Sequence, residues 1–173
     1  FNTAFFIMNK QIPELSFVDI EKGDSNSINI LSDALEDHGF FSITEHGLSN
    51  ELVDKCYQLS KQFFNLEYET KNKYSSVGSK GARGYTPKGI ETAVGENVPD
   101  QKEFWHHGPV VDDTFDQKIP KNIIIEEMPE FNKYYDELYL ELHKIGSRVL
   151  SVIALSLDID KNFFTPWIEK GLS

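Results

Sequence analysis

The chain has 173 residues, 39% of them hydrophobic and 13% aromatic, which suffices for one ordinary domain and excludes a disordered chain even at a net charge of −11. That charge, with only two arginines, Arg83 and Arg148, excludes the clustered cations that a nucleic-acid surface or a multi-arginine phosphate clamp needs. Cys56 is the only cysteine, which excludes an intrachain disulfide and a cysteine zinc site and points to a cytoplasmic protein, and no run approaches the roughly 20 apolar residues of a membrane span.

Residues 1–10 read as an upstream tail. The apolar run Phe1 to Ile7 lacks the basic start and cleavage site of a signal peptide, and Met8 looks like a natural translation start. From there, Leu15, Phe17 and Val18 predict a short extended segment, with Pro13 suiting a strand start. Asn26 is placed to cap a helix whose apolar positions are Ile28, Leu31, Leu35 and His38, and Gly39 ends it because glycine takes the left-handed conformation without strain. Phe40 to Thr44 then predicts a buried strand, closed by His46 and Gly47. Ser49 opens a second helix with the stripe Leu52, Cys56, Leu59, Phe63 and Leu66. Residues 72–100 have no helical period, and two extended runs, Ala82–Thr86 and Lys102–His106, predict a hairpin. Residues 118–127 read as an irregular approach. Pro129 fits the first turn of the longest helix, behind Glu126 and Glu127, which suit its positive end. Its apolar face is Phe131, Tyr135, Leu138, Leu142, Ile145, Val149, Val152 and Leu155. Leu142 and Val149 are expected deep against the 50–66 helix and the early strands. Asp160 is placed to cap a last turn that Pro166 interrupts. The fold class is α+β, with short strands that look made to join a larger sheet.

In this order the residues resemble the N-terminal region of the isopenicillin N synthase-like dioxygenases, which depend on iron(II) and 2-oxoglutarate. The resemblance rests on Ile12-Pro13 with Asp19, Ala34-Leu35, Gly39-Phe40-Phe41 and His46-Gly47-Leu48. It continues through Phe63-Phe64 with Leu66, Glu69 and Lys71, then Arg83-Gly84-Tyr85 with Pro87, Gly89 and Glu91. Asp100, Lys102, Glu103 and Phe104, the long helix, and the stretch from Leu157-Asp158-Ile159 to Phe163-Phe164 complete it. Residues 11–173 are accordingly expected to form the helical N-terminal dioxygenase domain, without the double-stranded β-helix (jelly-roll) that follows in the family.

Such enzymes hold iron through a His-x-Asp/Glu pair and a distant histidine, a triad that leaves three positions open, and bind the far carboxylate of 2-oxoglutarate through a downstream Arg-x-Ser. None of the five histidines, His38, His46, His106, His107 and His143, begins His-x-Asp or His-x-Glu, and neither arginine begins Arg-x-Ser. The expectation is therefore a chain with no catalytic, metal or cofactor residues of its own, Fe(II) and 2-oxoglutarate belonging to the complete parent. Its partners would be the missing C-terminal β-helix region and a second copy docked through exposed strands, with neither nucleic acid nor membrane. The alternative is a stand-alone interaction module built from the same segment.

The resemblance also places the hairpin near the barrel mouth, which makes Arg83 and Tyr85 candidate substrate contacts. Their structural alternative is that Tyr85 packs and Arg83 pairs with one of the many acids. His106 and His107 are a poor chelate, because neighbours on an extended segment point to opposite faces. Asp112-Asp113 and Glu126-Glu127 read as solvated acids, Cys56 as a small buried apolar group, and Tyr134, Tyr135 and Tyr139 as core and helix rim.

Overall fold

The computed structural model describes residues 11–75, 82–92, 94–95, 97–111 and 119–168, so the tail at 1–10 and the pair Asp112-Asp113 lie outside the described residues. Six helices and four three-residue strands form over them in the order strand, two helices, strand, two helices, two strands, two helices, with no closed barrel among the described residues. The chain divides into two compact units, one of residues 1–47 and 144–173, the other of residues 48–143.

In the first unit, β1 (Glu14–Ser16) pairs in parallel with β2 (Ser42–Thr44), Leu15 lying opposite Ile43. A parallel pair needs a crossover, here supplied by α1 (Phe17–Glu21) and α2 (Ser25–Asp37). The extended segment expected through Val18 is cut short. Ser16 Oγ accepts from the Asp19 amide at 3.2 Å and so caps α1, turning Phe17 and Ile20 into the core. Asp24, rather than Asn26, caps α2 by accepting from the Ser27 amide at 2.8 Å. Gly39 ends α2 at φ 68°.

Phe40 corrects the expectation of a buried strand, for it is 69% exposed. Phe41 and Ile43 face the core while Phe40, Ser42 and Thr44 face outward, because side chains alternate along a strand and this two-stranded sheet is covered on one face. The core joins Leu15, Phe17, Ile20, Leu31 and Val152, with Ile145 and Val149 packed against them. Arg148 grips Glu21 with two parallel bonds of 2.8 and 2.6 Å, donates to the His46 carbonyl at 3.2 Å, and lies over the Phe17 ring. One of the two arginines is thus spent on structure.

In the second unit, α3 (Asn50–Phe64) is capped by Ser49 and buries Leu52, Cys56, Leu59 and Phe63. Leu66 falls just beyond its end, packed against the core, and a further short helix, α4 (Tyr68–Asn72), follows. The hairpin forms as β3 (Gly84–Thr86) antiparallel to β4 (Phe104–His106), with Tyr85 opposite Trp105. Gly84 is required there. At φ 77° a Cβ would sit 2.5 Å from the Ile123 side chain and 2.6 Å from the Tyr74 carbonyl. Phe63 is the hub of the core, its ring 5.4 Å from Phe64, 5.8 Å from Tyr85, 5.0 Å from Trp105 and 5.8 Å from Phe131.

The longest helix, α5 (Pro129–Ser156), contributes residues to both units. Its apolar face is not uniformly covered. Phe131 and Val152 are buried, but Leu142 is 50% exposed, against the expectation of a deep position. It lines an open concavity of 330 Å³ with Leu138, Val53 and Tyr57. A 3.6-residue period reveals which side of a helix is apolar, not how much of that side another element covers. Beyond α5, Asp160 accepts from the Asn162 amide at 2.7 Å, and Pro166 lies inside the first turn of α6 (Thr165–Ile168) rather than interrupting a turn.

Candidate functional site

The hairpin and the elements packed on it hold a group of polar side chains in the second unit. Tyr85 is 2% exposed, with its ring in the core. Its hydroxyl donates to Glu103 at 2.5 Å. Lys71 donates to the same carboxylate oxygen at 2.8 Å and to the Phe64 carbonyl at 3.0 Å. Burial raises the pKa of the Tyr85 phenol far above its ordinary value, helped by the acceptor Glu103. Burial alone would raise Glu103 as well, but the bonds from Lys71 and Tyr85 outweigh it and hold the carboxyl below its ordinary value. Lys71, Glu103 and Tyr85 form a trio joining α4 to β3 and to the residue just ahead of β4. The Tyr85 ring packs in the core beside Phe63.

Arg83 stands one residue ahead of β3. Its guanidinium lies flat on Gly108, where an added Cβ would come within 2.1 Å of Cζ and Nη2. Nη1 donates to the Ala82 carbonyl at 2.6 Å, and Nε is buried without a hydrogen-bond partner. Among the described residues no carboxylate pairs with it, in contrast to Arg148.

Continued one residue past its last pair, Gly84 with His106, the antiparallel register puts His107 across from Arg83, on the inward face with Trp105. Its side chain is 7% exposed, and Nε2 lies 2.6 Å from the Asp136 carboxylate of α5. Asn122 completes the group. Its amide nitrogen donates to the Gly108 carbonyl at 2.8 Å and to Asp136 at 3.2 Å, and its oxygen accepts from the Gly108 amide at 2.8 Å. Burial lowers the pKa of the imidazole more than Asp136 raises it, and the nearby Arg83 charge lowers it further. His106 is exposed, beside the Phe104 ring. The two histidines therefore face opposite ways, as strand alternation required. That alternation could have signalled that one of them is buried, but it carried no sign of the Asp136 contact.

Among the described residues no three His, Cys, Asp or Glu side chains converge to hold a metal ion. Among the described residues Arg148 is engaged by Glu21. Cys56 is buried, its thiol pushed up by burial and then by Glu137. Glu126 and Glu127 are exposed, Glu127 accepting from the Tyr74 hydroxyl and pairing with Lys73 at 3.3 Å.

The family model described as non-haem dioxygenase in morphine synthesis N-terminal matches residues 12–127. A 2-oxoglutarate-Fe(II) type oxidoreductase of Metarhizium rileyi is 30% identical over an alignment covering 78% of this chain and 41% of that protein. A solved 2OG-Fe(II) oxygenase family protein from Caulobacter crescentus is 34% identical, with a TM-score of 0.81 over 92% of this chain and 52% of that one. A full-length Neurospora crassa protein, solved in complex with alpha-KG, shares the fold at 20% identity and a TM-score of 0.75, over 92% of this chain and 51% of that one. The chain thus spans about half the length of these relatives or less. With the family match reaching from ahead of β1 to the start of α5, the chain belongs to the non-haem dioxygenase N-terminal family, whose relatives here are 2-oxoglutarate Fe(II) oxygenases.

Proposed function

We propose that this chain is the N-terminal, non-catalytic part of an iron(II)- and 2-oxoglutarate-dependent oxygenase that oxidises a small molecule. The observation that carries the reading is the family match over residues 12–127, joined to a structural likeness spanning half of a 2OG-Fe(II) oxygenase family protein. In the complete protein, iron and 2-oxoglutarate are held by a jelly-roll region outside this sequence, since the sequence contains neither a His-x-Asp/Glu pair nor an Arg-x-Ser. Bound there, the metal and keto acid supply the oxidising chemistry.

The contribution of this chain is a rigid wall. Lys71, Glu103 and Tyr85 lock the hairpin from beneath, and Arg83 presents a cation at its edge for a substrate. Tyr85 acts on substrate only by positioning, because its hydroxyl and ring are already engaged. No nucleic acid or membrane enters this reading, and the cytoplasm is its proposed location. Among the described residues no helix is long and apolar enough to cross a membrane.

Calorimetry with Fe(II) and 2-oxoglutarate under anaerobic conditions tests the proposal. The 173-residue chain is expected to show no stoichiometric heat, and a version extended by the downstream reading frame into a His-x-Asp strand is expected to bind both. A one-to-one micromolar iron site in the chain itself overturns the assignment.

A further inference from the structure

We propose that His107, Asp136 and Asn122 form an acid-released latch that ties the end of β4 to α5 and, through Gly108, sets the seat of Arg83. The proposal stands on geometry within the second unit and does not depend on the oxygenase reading.

Hydrogen-bond bookkeeping defines the closed state. Asp136 is an acceptor, so the His107 Nε2 facing it at 2.6 Å carries the proton and donates. The Asn122 amide nitrogen lies 2.8 Å from the Gly108 carbonyl, 3.2 Å from Asp136 and 3.1 Å from His107 Nε2, and with the proton on Nε2 its two hydrogens go to the two oxygens. The neutral ring is thereby satisfied at Nε2, while Nδ1 is buried without a partner. For a lone pair this costs one unmade bond. Once Nδ1 is protonated, the same position becomes a buried, unpaired N–H on a cation, a far greater cost.

The charged and titratable neighbours are Asp136 and Tyr135 from α5, the Tyr135 ring lying 5.5 Å away, and Arg83 from just ahead of β3. Asn122 adds only a neutral amide. Asp136 favours the imidazolium, while burial and Arg83 oppose it and prevail. The neutral form is thus the one the fold selects. Its stabilising contribution is fully present above the ordinary imidazole value, about 6.5, and is lost as the pH falls below it. The cheapest relief is for residues 107–108 to leave α5 and let water reach Nδ1. Both Asn122 bonds to Gly108 then break, and Arg83 loses its seat.

Because the Gly108 amide donates to Asn122 at 2.8 Å, its hydrogen exchange reads the latch directly. In the 173-residue chain, Gly108 protection, corrected for intrinsic exchange, should fall about tenfold between roughly pH 7.5 and pH 5.5 while the Phe63 amide holds. The His107 ring should titrate below its ordinary value by NMR. His107→Gln keeps an amide N–H for Asp136 but does not titrate, so its Gly108 protection should not change with pH. Asp136→Asn, which removes the group favouring the imidazolium, should move the ring's midpoint lower still. A His107 ring that titrates at or above its ordinary value with Gly108 protection unchanged overturns the latch. So does a His107→Gln chain that loses protection as steeply as the parent. Should that variant not fold, the ring midpoint and Gly108 exchange of the parent decide alone.

Discussion

Lys71 and Glu103 show how much a buried charge depends on its partners. With side chains 9% and 19% exposed, both have left most of their water, and each is worth keeping only while the other is present. Lys71→Met should therefore destabilise the chain by on the order of 3 kcal/mol in urea unfolding, because it strands a carboxylate next to the core. Tyr85→Phe keeps the ring against Phe63 and removes one charge-assisted bond, so about 1.5–3 kcal/mol is expected. The trio also fixes a pH dependence. The folded-state pKa of Glu103 lies below its ordinary value, so its stabilisation is present above the ordinary carboxyl value and is lost as the pH falls through the lowered one. Lys71→Met should flatten that acid limb, which denaturant midpoints across the acid range measure. Lys71 and Glu103 were visible as residues of the family pattern, but sequence assigned them no contact. They are 32 positions apart, and only the fold brings the α4 ammonium to the carboxylate just ahead of β4.

At the scale of the element, α5 separates what a period can say from what it cannot. Phe131 and Leu142 sit on the same predicted stripe, yet one is 1% exposed and the other 50%. Phe131→Ala should cost about 3–5 kcal/mol, since a stacked Tyr135 ring and Phe63 both lose a neighbour. Leu142→Ala should cost less than about 1 kcal/mol, close to the range of surface positions. Equal losses in thermal or urea unfolding would show that the concavity at Leu142 is filled in solution. The end of α2 gives a complementary test. Nothing lies within 4 Å of a Cβ built on Gly39, so Gly39→Ala measures the backbone alone and should cost about 1–2 kcal/mol. At Gly84 the same change adds collisions with Ile123 and Tyr74 and should cost more.

For the whole molecule, the open question is what covers the first unit's outward faces. Among the described residues β1 and β2 pair only with each other, leaving strand edges that can template pairing with another chain. Phe40 is exposed beside them, and Phe163 forms an exposed aromatic pair with Trp167 of α6. We expect the chain to self-associate through this unit, and Phe40→Lys to weaken association by adding charge at the edge. Sedimentation over a tenfold concentration range should show mass rising with concentration for the parent and less for the variant. A parent that stays monomeric throughout sinks this expectation.

The sequence by itself determined the family, the α+β class, the hairpin, the glycine at 39 and the inward stripe of α3. These follow from local chemistry: left-handed backbone favours glycine, a hydroxyl caps a helix start, and apolar spacing marks one face. Only the tertiary structure decided that Phe17 turns into a helix, that Phe40 and Leu142 face outward, and that His107 meets Asp136 across 29 positions of chain. Burial and long-range hydrogen bonds depend on which surfaces meet, and no local pattern of residues carries that information.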